Sequence, residues 1–550
     1  MDDQLYVIGV GGTGMRCLES FVHLCAIGML DGKEINVLTL DTDANNGNLK
    51  RVKDLITSYR RIKSGTVNDG GTPNRNTFFS SKLNYYHYHT NYMKQGKRDN
   101  YRNLSNLSGQ SSVEDENQML ADLFLDKDTV QVFDLKHGYR AQTHLGSQLM
   151  FHGLVEAAKK LAKGTNITDE EKSLGEFIDK LEQSGKNSRV FVFGSVFGGT
   201  GASSIPVLPS ALKEAIKIKN EGSNLDISDV KFGSTLLTSY FDFNRPNSTQ
   251  KENSKESVIA SATFFPLNSQ AALQFYQGDP TVQSVYNKLY HIGWPLPAKK
   301  LDDSKKTETI TGGADQKNKC HFVELIAACA ALDFFTASSV ETTGTAKYVF
   351  RTGQYENGAF NFSASDLVGV EQNKDQKLIS KLGGFLSLAH ISLSKNHAGF
   401  GEKGFLGLKR HLENQNIDSF KTSITEADLD ELDKYMRSFG YSFTDDGAFK
   451  SGWIYQIRNS IAPGKFIFTN EAFAMSIKEL KGLDVGKLFE DPNYHWESAL
   501  TLSGRDTYQP WLKRLVNIEV NTEEHQLTHD KEKFIALLHD GIMISQQQQN

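Results

Sequence analysis

Two glycine-rich segments carry the chemistry that is easiest to read from this chain. The first is Gly9-Val10-Gly11-Gly12-Thr13-Gly14, and the second is Gly198-Gly199-Thr200-Gly201-Ala202. Each follows a short apolar run and precedes a segment of helical spacing. A strand that turns directly into a helix exposes backbone N–H groups at the helix N-terminus. A phosphate placed there is stabilised by the donors and by the helix dipole. Glycine suits such a turn because a Cβ would block close approach and disfavour positive φ.

The elements around these loops are those of a parallel α/β sheet. Leu5 to Ile8 is a buried strand, and Leu18, Phe21, Val22, Cys25 and Met29 recur at spacings of three and four, as in an amphipathic helix. Ile35 to Leu40 is a second strand, ending at Asp41-Thr42-Asp43. Strand, glycine loop, helix and strand make the opening unit of a doubly wound sheet. Alone, Gly9, Gly11 and Gly14 fit GxGxxG, which leaves an NAD-binding Rossmann enzyme as one reading. Its acid should lie about 20 residues on, and Asp41 comes later. Gly28 to Glu34 lacks the spacing and the hydroxyl of a P-loop.

Residues 60–130 are polar and weakly periodic and read as an insertion on the sheet's rim, with Tyr85 to His89 packing its rings on the domain. Val130 to Phe133 is a candidate strand, and a helix begins near Gly146. Ser188 to Phe193 is the strongest strand signal and leads into the second glycine loop. Val230 to Thr238 is another strand, and Ser257 to Tyr290 reads as mostly helical with a break near Gly278-Asp279-Pro280. His321 to Phe335 is an apolar helix, followed by short strands near Ala346–Arg351 and Gly464–Thr469 and helices near Leu408–Asn414 and Glu426–Phe439. His23 reads as a surface or boundary histidine, and the four cysteines as core residues.

Two glycine loops on one sheet suit a single nucleotide held between them. In this order they resemble the tubulin and FtsZ superfamily. The first loop is similar to that family's GxGGxG, Asp41-Thr42-Asp43-Ala44 to its N-T-D-A motif, and Phe197-Gly198-Gly199-Thr200-Gly201-Ala202-Ser203 to its GGGTGTG-like signature, with Pro206 as the early helix proline. The departures are Phe197 for the first signature glycine and Ala202-Ser203 for the final Thr-Gly. The segment Gly312 to Asn318 followed by His321-Phe322-Val323-Glu324 looks more like a divergent bacterial tubulin-like family than like FtsZ itself. Members of that family tend to sit in multi-gene systems linked to conflict or phage defence.

The resemblance implies a Rossmann-like GTPase domain over 1–255 (insertion about 60–130), a central helix over 256–290, and an α+β domain over 291–550 that carries the catalytic loop. It implies GTP/GDP with Mg2+, and contacts from Gly9, Gly11, Gly12, Thr13, Gly14, Asp41, Asp43, Gly198, Gly199, Thr200, Gly201 and Ala202. Arg140 falls where a third phosphate loop would lie, and reads equally as a surface ion pair. Asn268 falls where the family reads the guanine edge, and reads equally as a helix cap. The catalytic acid would be Glu324 or Asp315, near Asn318, delivered in trans to the next subunit of a head-to-tail filament or ring. The family's Asn-x-Asp-x-x-Asp/Glu spacing is not kept, since Cys320 and Val323 fill those places. A glutamate in a first helical turn also favours the dipole with no catalysis. A nucleotide-binding sensor with little hydrolysis is the alternative.

Composition excludes other classes. Of 550 residues, 38% are hydrophobic and 23% charged, so wholesale disorder is out. Lys and Arg number 61 against 66 Asp and Glu, and a net charge of −5 gives no ground for bulk nucleic-acid binding. No apolar run approaches the roughly 18–20 residues of a membrane span. Met1-Asp2-Asp3-Gln4 lacks a signal-peptide layout, and Cys17, Cys25, Cys320 and Cys329 form no disulfide or zinc pattern. The expectation is a cytoplasmic protein whose partners are copies of itself and other members of its system, with no protein-held metal site.

Overall fold

The computed structural model describes residues 4–89, 143–242 (less 222, 224 and 226), 262–294, 299–300, 312–337, 347–349, 354–356, 359–362, 404–414, 424–440, 452–460, 466–468 and 515–547, with scattered positions between 378 and 389. Its centre is a seven-stranded sheet in which every pairing is parallel. The strands are β1 (Gln4–Val10), β2 (Glu34–Asp41), β3 (Lys82–His89), β4 (Ser188–Phe193), β5 (Lys231–Leu237), β6 (Tyr286–Ile292) and β7 (Lys347–Val349). Their order is β3-β2-β1-β4-β5-β6-β7. The chain winds outward from β1 to β3, returns to lay β4 beside β1, and winds outward the other way.

Both faces of the sheet are covered, so the strands read as continuous apolar runs. Along β1, Leu5 and Val7 enter one core while Tyr6, Ile8 and Val10 enter the other. The first face carries α1 (Gly11–Ala26) and α2 (Gly47–Ser64). The second carries α3 (Thr143–Lys163), α4 (Asp169–Ser184), α5 (Thr200–Ser204) and α6 (Leu208–Lys219). Pro206 sits in the turn that separates α5 from α6, where a ring without an N–H interrupts the helix. Beyond these lie α7 (Phe265–Gly278), α8 (Phe322–Thr336), α9 (Gly404–Asn414), α10 (Glu426–Phe439), α11 (Trp453–Ser460) and α12 (Asp530–Gln547).

Three expectations change. Residues 82–89 are a full strand at the edge of the central sheet, while 90–130 of the expected insertion lie outside the described residues; the strand's aromatics alternate across it, with Tyr86 and Tyr88 in the second core. Tyr286–Ile292 is a strand, not the end of a helix, since its run with Tyr286, Leu289, Tyr290 and Ile292 fills the sheet position beside β5. The hydrophobic core also crosses the boundary expected near 290. Helix α8 packs on the first face against α1 and β4 to β6, and buried residues of α9 to α12 join the same core. That extra layer buries α1 on nearly every side. His23 is therefore fully buried, its ring beside Trp453 and Phe439 and its Nδ1 3.3 Å from the Tyr435 hydroxyl. Burial pushes its pKa down to about 3. The four cysteines are free and buried, as expected. Among the described residues, no helix is long and apolar enough to cross a membrane.

Candidate functional site

The two glycine loops meet at the carboxyl ends of β1 and β4. Strand β1 passes straight into α1, whose first turn no side chain caps. Strand β4 ends at Phe193 and, after a turn, α5 begins at Thr200, again without a side-chain cap. Gly9 and Phe193 are register partners, so the two turns lie side by side. A Cβ built on Gly11, whose φ is +65°, would lie 2.9 Å from the Thr200 Cβ. The first four N–H groups of a helix have no partner within it, and here two such sets face one crest.

The glycines divide by what crowds them. A Cβ on Gly14 would meet the Phe193 carbonyl oxygen at 2.5 Å, and one on Gly201 would meet the Ser195 backbone at 2.6–2.7 Å. A Cβ on Gly9 would run into Leu18. These three serve close packing. Gly12 is open, with only side-chain atoms of Gln316, Asn46 and Asn48 at 3.4–3.5 Å from its built Cβ, and Gly198 meets only the Ser195 hydroxyl at 3.4 Å. Phe197 does not narrow the crest. Its ring is buried among Tyr240, Phe241 and Phe265.

The end of β2 forms a side wall, one step beyond the Val10–Leu40 pair and so beside Gly11. Asp41 is 2% exposed; its Oδ1 accepts from the backbone N–H of Thr42 (2.8 Å) and Asp43 (3.3 Å), while its Oδ2 and the Thr42 Oγ1 are buried without partners. Burial, and then the neighbouring Asp43, pushes the Asp41 carboxyl up to about 7. Asn46 caps α2 through the Asn48 N–H at 2.9 Å.

The segment 312–318, expected to serve a neighbouring chain, lies on its own chain's wall. The Gly313 N–H donates to Asp43 Oδ2 (2.6 Å), and the Gly47 N–H donates to the Gly313 carbonyl (3.0 Å). Asn46 Nδ2 donates to Gln316 Oε1 (2.6 Å). Asn318 and Asn48 bond reciprocally at 3.0 and 3.1 Å, and Arg51 Nη1 donates to the Asn318 carbonyl at 2.7 Å. Gly47 is glycine because a Cβ would meet the Ala314 oxygen at 2.6 Å. The docked loop is thus held at both ends, and Asp315 on it is exposed.

Glu324 lies elsewhere. It is fully buried, with Oε1 2.7 Å from both Arg16 Nε and the Tyr240 hydroxyl, and Oε2 accepting from the His321 N–H at 2.9 Å. With His321 it forms a reciprocal cap on α8. Both oxygens are engaged inside the protein, so the carboxylate does not face the crest. Burial lifts its pKa and Arg16 opposes the shift. Asn268, on α7, donates to the Phe197 carbonyl at 3.3 Å, which sets it beside the second loop. The Tyr276 hydroxyl ties α7 to the Ala202 carbonyl at 2.5 Å. Thr13, Gly199 and Thr200 are half-buried at the crest. Arg140 and the strand expected at 130–133 lie outside the described residues.

The structure therefore brings together both glycine loops, Asp41, Asp43, Asn318 and Asn268, and leaves Glu324 in the core. Sequence reading missed Asn46, Asn48, Arg51 and Gln316. The run Asn45-Asn46-Gly47-Asn48 after Asp43 is a recognisable cap signal, but its partners lie some 270 positions along the chain. Compared with known proteins, the chain matches no protein-family model, no curated protein and no solved structure.

Proposed function

We propose that the chain is a tubulin/FtsZ-like GTP-binding protein that hydrolyses GTP and assembles with copies of itself. The observation that carries this reading is the meeting of two uncapped helix N-termini where the strand order reverses between β1 and β4. In an open parallel sheet, ligands settle outside the carboxyl ends of the strands at that reversal. A second, independent support is the buried, unpartnered Asp41 Oδ2 and Thr42 Oγ1 beside it. Unpaired buried polar atoms are costly, and a bound polar ligand satisfies them.

In this reading the phosphates lie between Gly12 and Gly198–Thr200, with the base toward Asn268. Mg2+ keeps most of its waters and takes one or two carboxylates plus phosphate oxygens. Among the described residues, no three His, Cys, Asp or Glu side chains converge on a metal. Asp41 Oδ2 is the carboxylate oxygen that would hold the ion, because Asp43 is engaged by Gly313 and Asn45. Bound there, Mg2+ would neutralise phosphate charge. Assembly is supported by Phe264, just before α7, and Leu267 and Phe275 on it, three large apolar side chains more than half exposed. A sensor with little hydrolysis is the second reading, favoured by the engagement of both Glu324 oxygens. Titration with GTP, ATP and NAD separates these readings from a Rossmann enzyme, and multiple-turnover phosphate release separates GTPase from sensor. Binding of NAD but not GTP overturns the proposal.

A further inference from the structure

Resting on that reading of the site, we infer that Gln316 is a catalytic residue, which meets the terminal phosphate and orients the attacking water from within the same chain. Each other candidate on the segment is spent or turned away. Glu324 is fully buried with both oxygens engaged. Asn318 is occupied by Asn48 on its side chain and N–H, and by Arg51 on its carbonyl. Asp315 is exposed to solvent. Gln316 is the residue of this segment whose side chain reaches the first glycine loop, its Oε1 3.4 Å from a Cβ built on Gly12. Asn46 Nδ2 fixes that oxygen at 2.6 Å, and the backbone on either side is pinned at Gly313 and Asn318. A side chain held this way loses little entropy on meeting its target, which is what positioning catalysis needs.

An amide has no usable pKa near neutrality, so Gln316 does not take the proton. Its oxygen accepts a hydrogen bond from the water and its NH2 donates to a phosphate oxygen, as an orienting glutamine can in phosphoryl transfer. The water oxygen forms a bond to the terminal phosphorus as the bond from that phosphorus to the bridging oxygen breaks. The bridging oxygen and its electron pair leave on GDP. The water's proton passes to the released phosphate and the solvent.

The test pairs GTP affinity, from titration of a fluorescent GTP analogue, with multiple-turnover phosphate release. Gln316→Ala is expected to lose at least about 100-fold in turnover while GTP affinity stays within about threefold. Gln316→Glu, which keeps the length of the side chain, covers the case in which the alanine variant does not fold, and is expected to lose turnover similarly. Asp315→Asn should stay within about twofold. Turnover per chain should also be flat with protein concentration, because the residue acts in cis. Near-native turnover in either Gln316 variant overturns the inference, as does a loss of affinity that accounts for the whole effect. A native chain that binds GTP but does not hydrolyse it overturns the role of Gln316 and spares the binding site. A native chain that binds no GTP overturns the site itself.

Discussion

Removing Glu324 separates a catalytic acid from a buried structural one. Its carboxylate partners Arg16 Nε at 2.7 Å, and Arg16 is only 1% exposed. Glu324→Ala leaves that guanidinium buried without its counter-charge, a change that costs about 3–5 kcal/mol. The same truncation removes the reciprocal cap at His321, worth about 1 kcal/mol. The two losses share one side chain, so they overlap, and about 4 kcal/mol is the working figure. Urea unfolding followed by far-ultraviolet circular dichroism gives the loss. The charge component is isolated by Arg16→Met combined with Glu324→Met, since an apolar pair of similar volume is near neutral where half an ion pair is not. The double variant should recover at least half of what Glu324→Ala loses. A cost below about 1 kcal/mol, or a fully stable Glu324→Ala protein that binds GTP yet has lost turnover, would refute the reasoning and return Glu324 to the catalytic role.

Other outcomes follow from the same geometry. Asp41 has a carboxyl raised by burial, so ionising it destabilises the folded chain: that stability is present below the unfolded pKa near 4 and lost as pH rises through about 7. Relative to the native protein, Asp41→Asn should therefore change little at about pH 3.5 and gain progressively up to about pH 8, by up to about 4 kcal/mol, in urea unfolding; equal differences at both pH values would contradict this. Gly14→Ala and Gly201→Ala, which drive a Cβ into backbone atoms, should lower the thermal midpoint sharply, whereas Gly198→Ala should not. If Asn268 reads the guanine edge, GTP binds more tightly than ATP and Asn268→Leu narrows the gap; equal native affinities would remove guanine specificity.

What the sequence discloses here depends on how local the cause is. Ser188–Phe193 is legible as a strand because Val190 to Phe193 are four apolar, β-favouring residues that run into Gly194, and Glu426–Phe439 as a helix because its spacing begins at a threonine cap. The glycine loops are legible for the same reason. Tyr286–Ile292 is not, since seven residues directly after helical spacing fit either period. The burial of His23 depends on α10 and α11, more than 400 positions away, which no local pattern reports. Likewise Gly313, Gln316 and Asn318 meet Asp43, Asn46 and Asn48 through the fold alone. Glu324 looks like a site acid in the sequence because an acid in a first turn has two physical uses, and the structure displays the capping one.

Calorimetric titration with GTP of the native chain and of Gly12→Val tests the central claim most directly. A valine at Gly12 would meet only side-chain atoms at 3.4–3.5 Å from its Cβ, so the fold tolerates it while the branched methyls fill the gap toward Gln316. The account predicts one GTP per native chain, and no binding by Gly12→Val at an unchanged thermal midpoint. Equal binding by both proteins, or none by the native chain, would contradict it.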